Sequence, residues 1–207
     1  MQEVARLAAP PGLLTAFRRA RAPIVASAAT YVTFVILGIA MATAGWQYAV
    51  DQRDSIVEGA QSSAITQANQ KDDHLEAALR DFSSNLIVGA LPASIAGLTV
   101  VAPFPIAAYR GWIGGIVSID ANHQSRLAKP GSAAYYLVTL CLQLAGYVLT
   151  MAAGVHIGLS VLRSRKDASI RSIGGLRIPW FAFRDATYLY VVAIPIFLVG
   201  SLWEFLA

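Results

Sequence analysis

Five polar side chains lie within otherwise apolar runs of this 207-residue chain: Asn85, Arg110, Gln143, His156 and Glu204. Ionisable groups in such surroundings default to a functional reading, as substrate contacts, ion paths or proton relays. Their positions favour a plainer use. Glu204 stands near the end of the last apolar run and can reach its interface. Arg110 follows a Pro-rich turn and can snorkel toward lipid headgroups. His156 is two turns from the end of its run. Each reads as a helix-packing or partner contact. No chain of acids crosses the apolar runs, which argues against proton-coupled transport.

Catalytic chemistry finds little support. The sequence has no GxSxG, no HExxH and no phosphate-binding glycine loop. Cys141 is the single cysteine, so neither an intrachain disulfide nor a Cys/His metal cluster is possible. Asp72, Asp73, His74 and Glu76 are spaced irregularly and read as solvated helix caps rather than metal ligands. A pigment or quinone contact at His156 is a weak candidate. The expectation is a non-enzyme without cofactor, metal or nucleic-acid partner.

The elements that position these residues are membrane helices. Hydrophobic residues make up 56% of the chain and charged residues 14%, against about 25% charged in a soluble domain. The long runs are uniformly apolar and do not alternate, so helices are expected. Segments 24–50, 133–162 and 186–206 each suit one crossing, which needs about 20 apolar residues. Arg18, Arg19 and Arg21 precede the first, which reads as an uncleaved signal anchor. The fourth segment, 82–119, is too long for one crossing and short for two, and Pro103-Phe104-Pro105 breaks it.

Charge decides how that stretch is used, because Lys and Arg mark the cytoplasmic side. A hairpin with Pro103 and Pro105 at its inner turn gives five crossings and a cytoplasmic N-terminus. Eleven of the 16 basic residues then lie inside and five outside. A single crossing moves the six basic residues of 163–185 outward and reverses the bias to seven against nine. The hairpin is therefore expected, with a short, Gly-broken third crossing over 104–119. Trp46 and Tyr48, Tyr135 and Tyr136, Trp180, Phe181 and Phe183, and Trp203 fall where aromatic belts belong.

Three segments flank the crossings: a basic cytoplasmic N-terminus over 1–23, an acidic extracytoplasmic segment over 51–82 and a basic cytoplasmic loop over 163–185. Segment 51–82 holds seven acidic and three basic residues. Ile56, Val57, Ala60, Ala64, Ile65 and Ala68 repeat at helical spacing. Asn69 to Asp72 break the pattern, and Asp73 with Glu76 starts a second helix. This helical segment is either a docking surface for an extracytoplasmic protein or a connector packed on its own bundle. The basic loop matches ordinary positive-inside topology and an anionic lipid leaflet.

Small residues recur every fourth position. Gly111/Gly115 and Gly154/Gly158 fit GxxxG, and Ala93/Gly97 and Ala40/Ala44 are looser versions. Such faces let helices approach closely, within one chain or between copies.

The whole pattern resembles the stage II sporulation protein M-like family over residues 75–207. Pro103-Phe104-Pro105 and then Tyr109-Arg110-Gly111-Trp112-Ile113-Gly114-Gly115 stand where that family has a Pro-rich turn and an aromatic-Asn-Gly-x-x-x-Gly kernel. Asn85 matches the asparagine opening its second span. Ala152-Ala153-Gly154 through Gly158 resembles the small-residue end of its fourth, and Leu202-Trp203-Glu204-Phe205 its closing acidic-aromatic element. Two departures stand out. Arg110 replaces the kernel asparagine, and Gln143-Leu144 stands where a Glu-Leu pair is expected. The sporulation member is a non-enzymatic membrane component that holds peptidoglycan-degrading partners.

The resemblance and the missing catalytic pattern together imply an all-α, polytopic, inner-membrane helix bundle of a bacterial cell. It would act as a scaffold or accessory subunit, in contact with lipid and with other membrane subunits or its own copies. The competing expectation is a transporter or channel subunit with a path near the Gly-rich short helix.

Overall fold

The computed structural model describes residues 12–126, 130–163, 170–173 and 176–206. Residues 1–11, Lys129, Arg165 and Lys166, which enter the charge count above, lie outside them.

Helix α1 (Leu13–Arg19) leads into the apolar α2 (Arg21–Thr43). Gly45, at φ +70°, ends α2 in a Schellman turn, with Gly45 N–H donating to Ala42 O and Trp46 N–H to Met41 O. The first apolar run therefore stops short of its expected end at residue 50. Gln47 instead opens α3 (Gln47–Gln61), which begins the acidic segment with α4 (Ala64–Gln70) and α5 (His74–Ser83). Asp73 caps α5 as its spacing predicts, accepting from Glu76 N–H at 3.0 Å. Ser63 caps α4 in the same way, accepting from Thr66 N–H. That break divides what the apolar spacing alone reads as one helix.

Helix α5 runs without interruption into a π-helical turn (Ser84–Ala90) and α6 (Leu91–Gly97). Pro92 gives a physical cause for the widened turn: it cannot donate to Val88, and its ring displaces that carbonyl. The chain then reverses over 98–102, where Val100 takes φ +70°. Helix α7 (Pro103–Val117) follows, with Pro103 at its first position. The central stretch is thus broken into two helices, and Pro103 and Pro105 open the second rather than form the turn. Proline suits that place because the first N–H groups of a helix have no intrahelical partner.

Helices α8 (Pro130–Arg163) and α9 (Trp180–Leu206) complete the bundle. Between them lies a two-stranded antiparallel ribbon of β1 (Ile170–Ile173) and β2 (Leu176–Pro179), paired Ile170 to Pro179 and Ile173 to Leu176. Ile170-Arg171-Ser172-Ile173 shows no period-two alternation and sits inside a basic loop, so the sequence reading did not mark a strand there.

Among the described residues, three helices are long and apolar enough to cross a membrane: Arg21–Thr43, Ala133–Arg163 and Trp180–Leu206. Large apolar side chains stand outward along them and along the π-turn and α6, including Val25, Ile36, Ile87, Val88, Ile95 and Val191. Such a surface is foreign to a soluble monomer and suits lipid.

Inside, the bundle is built from small residues. Helix α2 buries Pro23, Ser27, Tyr31, Val35, Gly38 and Ala42 in one stripe, and α7 packs along it. A Cβ on Gly111 would stand 2.3 Å from Tyr31 O, and one on Gly115 2.3 Å from Val35 O. The second GxxxG pair makes a matching seam. A Cβ on Gly154 would lie 2.0 Å from Ser94 O, and one on Gly158 2.6 Å from Leu98 O. Lipid tails give helices little hydrophobic reason to associate, so close backbone approach supplies the packing. Both GxxxG faces are thereby occupied within the chain, and Ala93 and Gly97 are buried in the second seam. Ala40 and Ala44 are exposed.

Candidate functional site

Helix α7 has two faces. Ala107, Gly111, Trp112 and Gly115 are buried toward α2. Ile106, Tyr109, Arg110, Ile113, Gly114 and Val117 follow the i, i+3, i+4 spacing of the adjacent face. That face lines a half-open cavity of about 730 Å³, whose far wall is α8. The volume falls within the usual ligand-pocket range of about 300–1,000 Å³. The cleft persists because α8 packs on α6 and α9 while α7 packs on α2. One bridge closes part of it, Tyr136 Oη donating to Gly114 O at 2.7 Å.

Four of the polar residues picked out in the sequence line this cavity: Asn85, Arg110, Gln143 and Glu204. Arg110 turns inward over the ring of Tyr147, its Cζ 4.3 Å from the ring centroid. It does not snorkel to the nearby turn. Tyr147 Oη donates to Asn85 Oδ1 at 2.6 Å, and Asn85 Nδ2 donates to Asp81 Oδ2 at 2.8 Å. Ser201 Oγ donates to the same Asp81 oxygen at 2.7 Å. The network therefore ties α7 through α8 to the π-turn, α5 and α9. Gly89 makes room for it: a Cβ there would lie 2.5 Å from Tyr147 Oη and 3.0 Å from Arg110 Nη2. The widened turn and its glycine thus sit beside the site, as π-bulges often do. Near the acidic segment, Gln143 Nε2 donates to Glu204 Oε2 at 3.1 Å, and Tyr135 Oη donates to the Glu204 carbonyl.

His156 belongs elsewhere. Its Nε2 is 3.4 Å from Asp185 Oδ2, and the same oxygen is 3.3 Å from Arg19 Nη1. Phe181 covers both, with its ring 5.6 Å from Arg19 Cζ and edge-on to His156 at 6.4 Å. This cluster ties α1, α8 and α9 together at the end of the bundle nearest the ribbon. Gly111, Gly115, Gly154 and Gly158 lie in the helix seams.

Sequence reasoning missed the tyrosines and two acids. Tyr31, Tyr136 and Tyr147 line the cavity, Asp81 anchors the network and Asp185 anchors the second cluster. For Tyr147 a signal existed: a phenol far from either end of an apolar run needs a hydrogen-bond partner. For Asp185, next to Arg184 in a basic segment, none did. Asp73, His74 and Glu76 are engaged locally, Asp73 with the backbone N–H of Glu76, His74 Nδ1 with Asn69 Oδ1 and Glu76 with Arg80, and Asp72 is exposed in the turn before them. No group of three or more His, Cys, Asp or Glu among the described residues is placed to hold a metal ion.

Apolar rods, small-residue seams and an internal polar cavity define the class of helical integral membrane proteins. The family model of stage II sporulation protein M matches residues 27–206, and the chain belongs to that family. The match begins well before residue 75, taking in α2 and the acidic segment as well as the Gly-rich core. No curated protein and no solved structure matches the chain.

Proposed function

We propose that this chain is a non-enzymatic membrane subunit of the transport or channel type, with its path beside the Gly-rich helix α7. The observation that carries this reading is the convergence of Asn85, Arg110, Gln143 and Glu204 on one half-open cavity. In this reading α7 is a short crossing of about 22 Å, 15 residues at 1.5 Å each. The chain would cross a bacterial inner membrane five times, its basic N-terminus and basic 163–185 loop inside and its acidic segment outside. A five-crossing chain without an inverted repeat would work with partner subunits or further copies of itself.

The test is flux. The chain, purified with whatever co-elutes and reconstituted into vesicles, should move labelled anionic solutes or lipids faster than empty vesicles. Arg110→Ala should reduce that rate. No difference from empty vesicles across the panel would sink the transport reading. Orientation has its own test in a Cys141→Ser background. A cysteine at Gly59 should react with a membrane-impermeant reagent added to intact spheroplasts, and no labelling would reverse the assigned sides.

A scaffold reading is supported by a different surface. Val57, Leu75 and Leu79 are exposed on the acidic segment, and Leu75 and Leu79 line a shallow groove with Ile65. A protein partner docked there would cover them. Purification in mild detergent should then recover a stoichiometric partner that Leu75→Glu/Leu79→Glu releases. A monodisperse monomer without partners would remove this reading.

A further inference from the structure

We propose that the cavity between α7 and α8 binds the anionic headgroup of an amphiphile, phosphate being the recognised chemistry, with Arg110 as its counter-charge. The proposal rests on the reading of this cavity as the functional centre. Arg110 lies at the midpoint of α7, seven residues from Pro103 and seven from Val117. A guanidinium at that depth is costly unless it is paired or faces a polar cavity. Its described surroundings supply a ring, that of Tyr147, but no carboxylate within ion-pair distance. The carboxylates nearest the site are held away from Arg110 by neutral donors: Asp81 Oδ2 accepts from Asn85 and Ser201, and Glu204 Oε2 accepts from Gln143. The cavity wall carries Arg110 near its middle, with Glu204 on the same wall and Asp81 behind Asn85.

The rest of the wall fits the rest of such a molecule. Ile106, Tyr109, Ile113 and Leu140 give an apolar flank, and Tyr109 is exposed at its edge. A headgroup held at Arg110 could leave its acyl chains along that flank and out through the open side. A planar guanidinium offers two parallel donors to a phosphate, a geometry that an ammonium lacks.

Native mass spectrometry of the detergent-purified full chain tests this, with phosphatidylglycerol, phosphatidylcholine and inorganic phosphate as probes. Phosphatidylglycerol should be retained about ten-fold better than phosphatidylcholine, a gap of ~1.4 kcal/mol. Arg110→Ala should bring the two lipids level, and Arg110→Lys should keep a reduced preference. Millimolar inorganic phosphate should not displace the anionic lipid. Displacement would mean that a free anion is the ligand, and it would overturn the amphiphile assignment. Equal retention of both lipids by the wild type, or an unchanged preference in both Arg110 variants at native thermal stability, would overturn the site. Because binding is read in detergent, a chain that binds the lipid but shows no flux loses the transport reading and keeps this one.

Discussion

Two arginines in this molecule face opposite circumstances. Arg19, with 10% of its side chain exposed, meets a carboxylate, Asp185, of which 1% is exposed. A phenyl ring covers the pair and His156 shares the same oxygen. Arg110 has an aromatic ring as well, but its other side faces a cavity, and among the described residues no carboxylate lies within ion-pair distance of it. The first arrangement is internally neutralised and joins three helices. The second keeps a charge in an apolar bundle without local compensation. Burial and an aromatic partner therefore do not distinguish a structural arginine from one held for a ligand; the missing counter-ion does.

Removing the counter-ion from the first cluster should have the largest effect. Asp185→Ala takes the Asp185 carboxylate away from a buried guanidinium and from His156, and breaking a buried pair from one side costs about 3–5 kcal/mol. A large drop in the thermal midpoint in detergent is expected, and lipid preference in the surviving folded fraction should be unchanged. A small change in midpoint would show that Arg19 is already solvated and that the contrast is false.

Tyr147→Phe comes next. It leaves Asn85 Oδ1 without the phenol that donates to it and takes the same hydroxyl from beside Arg110, at a cost of about 1–3 kcal/mol. The ring beneath Arg110 stays, so the cation–π contact survives. Stability should fall while the lipid preference persists. If the preference vanished with the ring intact, the hydrogen-bond network rather than the charge would be selecting the ligand.

The fold was more legible than these two environments. Uniform apolar runs announced three rods, and Pro103-Phe104-Pro105 announced a break in the central stretch. Asp73 and Glu76, three residues apart, announced the cap of α5. These signals are local or additive along the chain. The turn was displaced by a few residues because proline fits a helix start as well as a bend, and Val100 at positive φ carries no mark in the sequence. The ribbon was missed because each strand is only four residues long. At the site, Asn85, Arg110, Gln143 and Glu204 were legible one by one as polar residues in apolar runs. Their sharing of one cavity, and the assignment of His156 to another cluster, depend on helix rotation and packing order. Both are set by the glycine seams, which show in the sequence as motifs without named partners.

Arg110→Ala should be the quietest change at the core. It removes a cation–π contact of about 0.5–2 kcal/mol, and relieves the cost of an uncompensated charge at membrane depth. The two nearly cancel, so a stability change within about 1 kcal/mol is expected, in either direction. Arg19 and Arg110 would then differ in the sense that matters, one needed for the fold and the other for binding. A loss as large as that of Asp185→Ala would make Arg110 a structural residue.

The exposed pair on α5 marks the lower end of the scale. Arg80 Nε donates to Glu76 Oε1 at 2.8 Å, four residues apart, with both side chains nearly half exposed. Such pairs contribute about 0.3–0.5 kcal/mol. Glu76→Ala keeps the α5 cap, because Asp73 accepts from the backbone N–H of residue 76. The midpoint should therefore shift barely beyond error, and less in high salt. A shift approaching that of Tyr147→Phe would indicate that this pair is covered by something else, and the exposed ridge of Leu75 and Leu79 beside it is where a partner would sit.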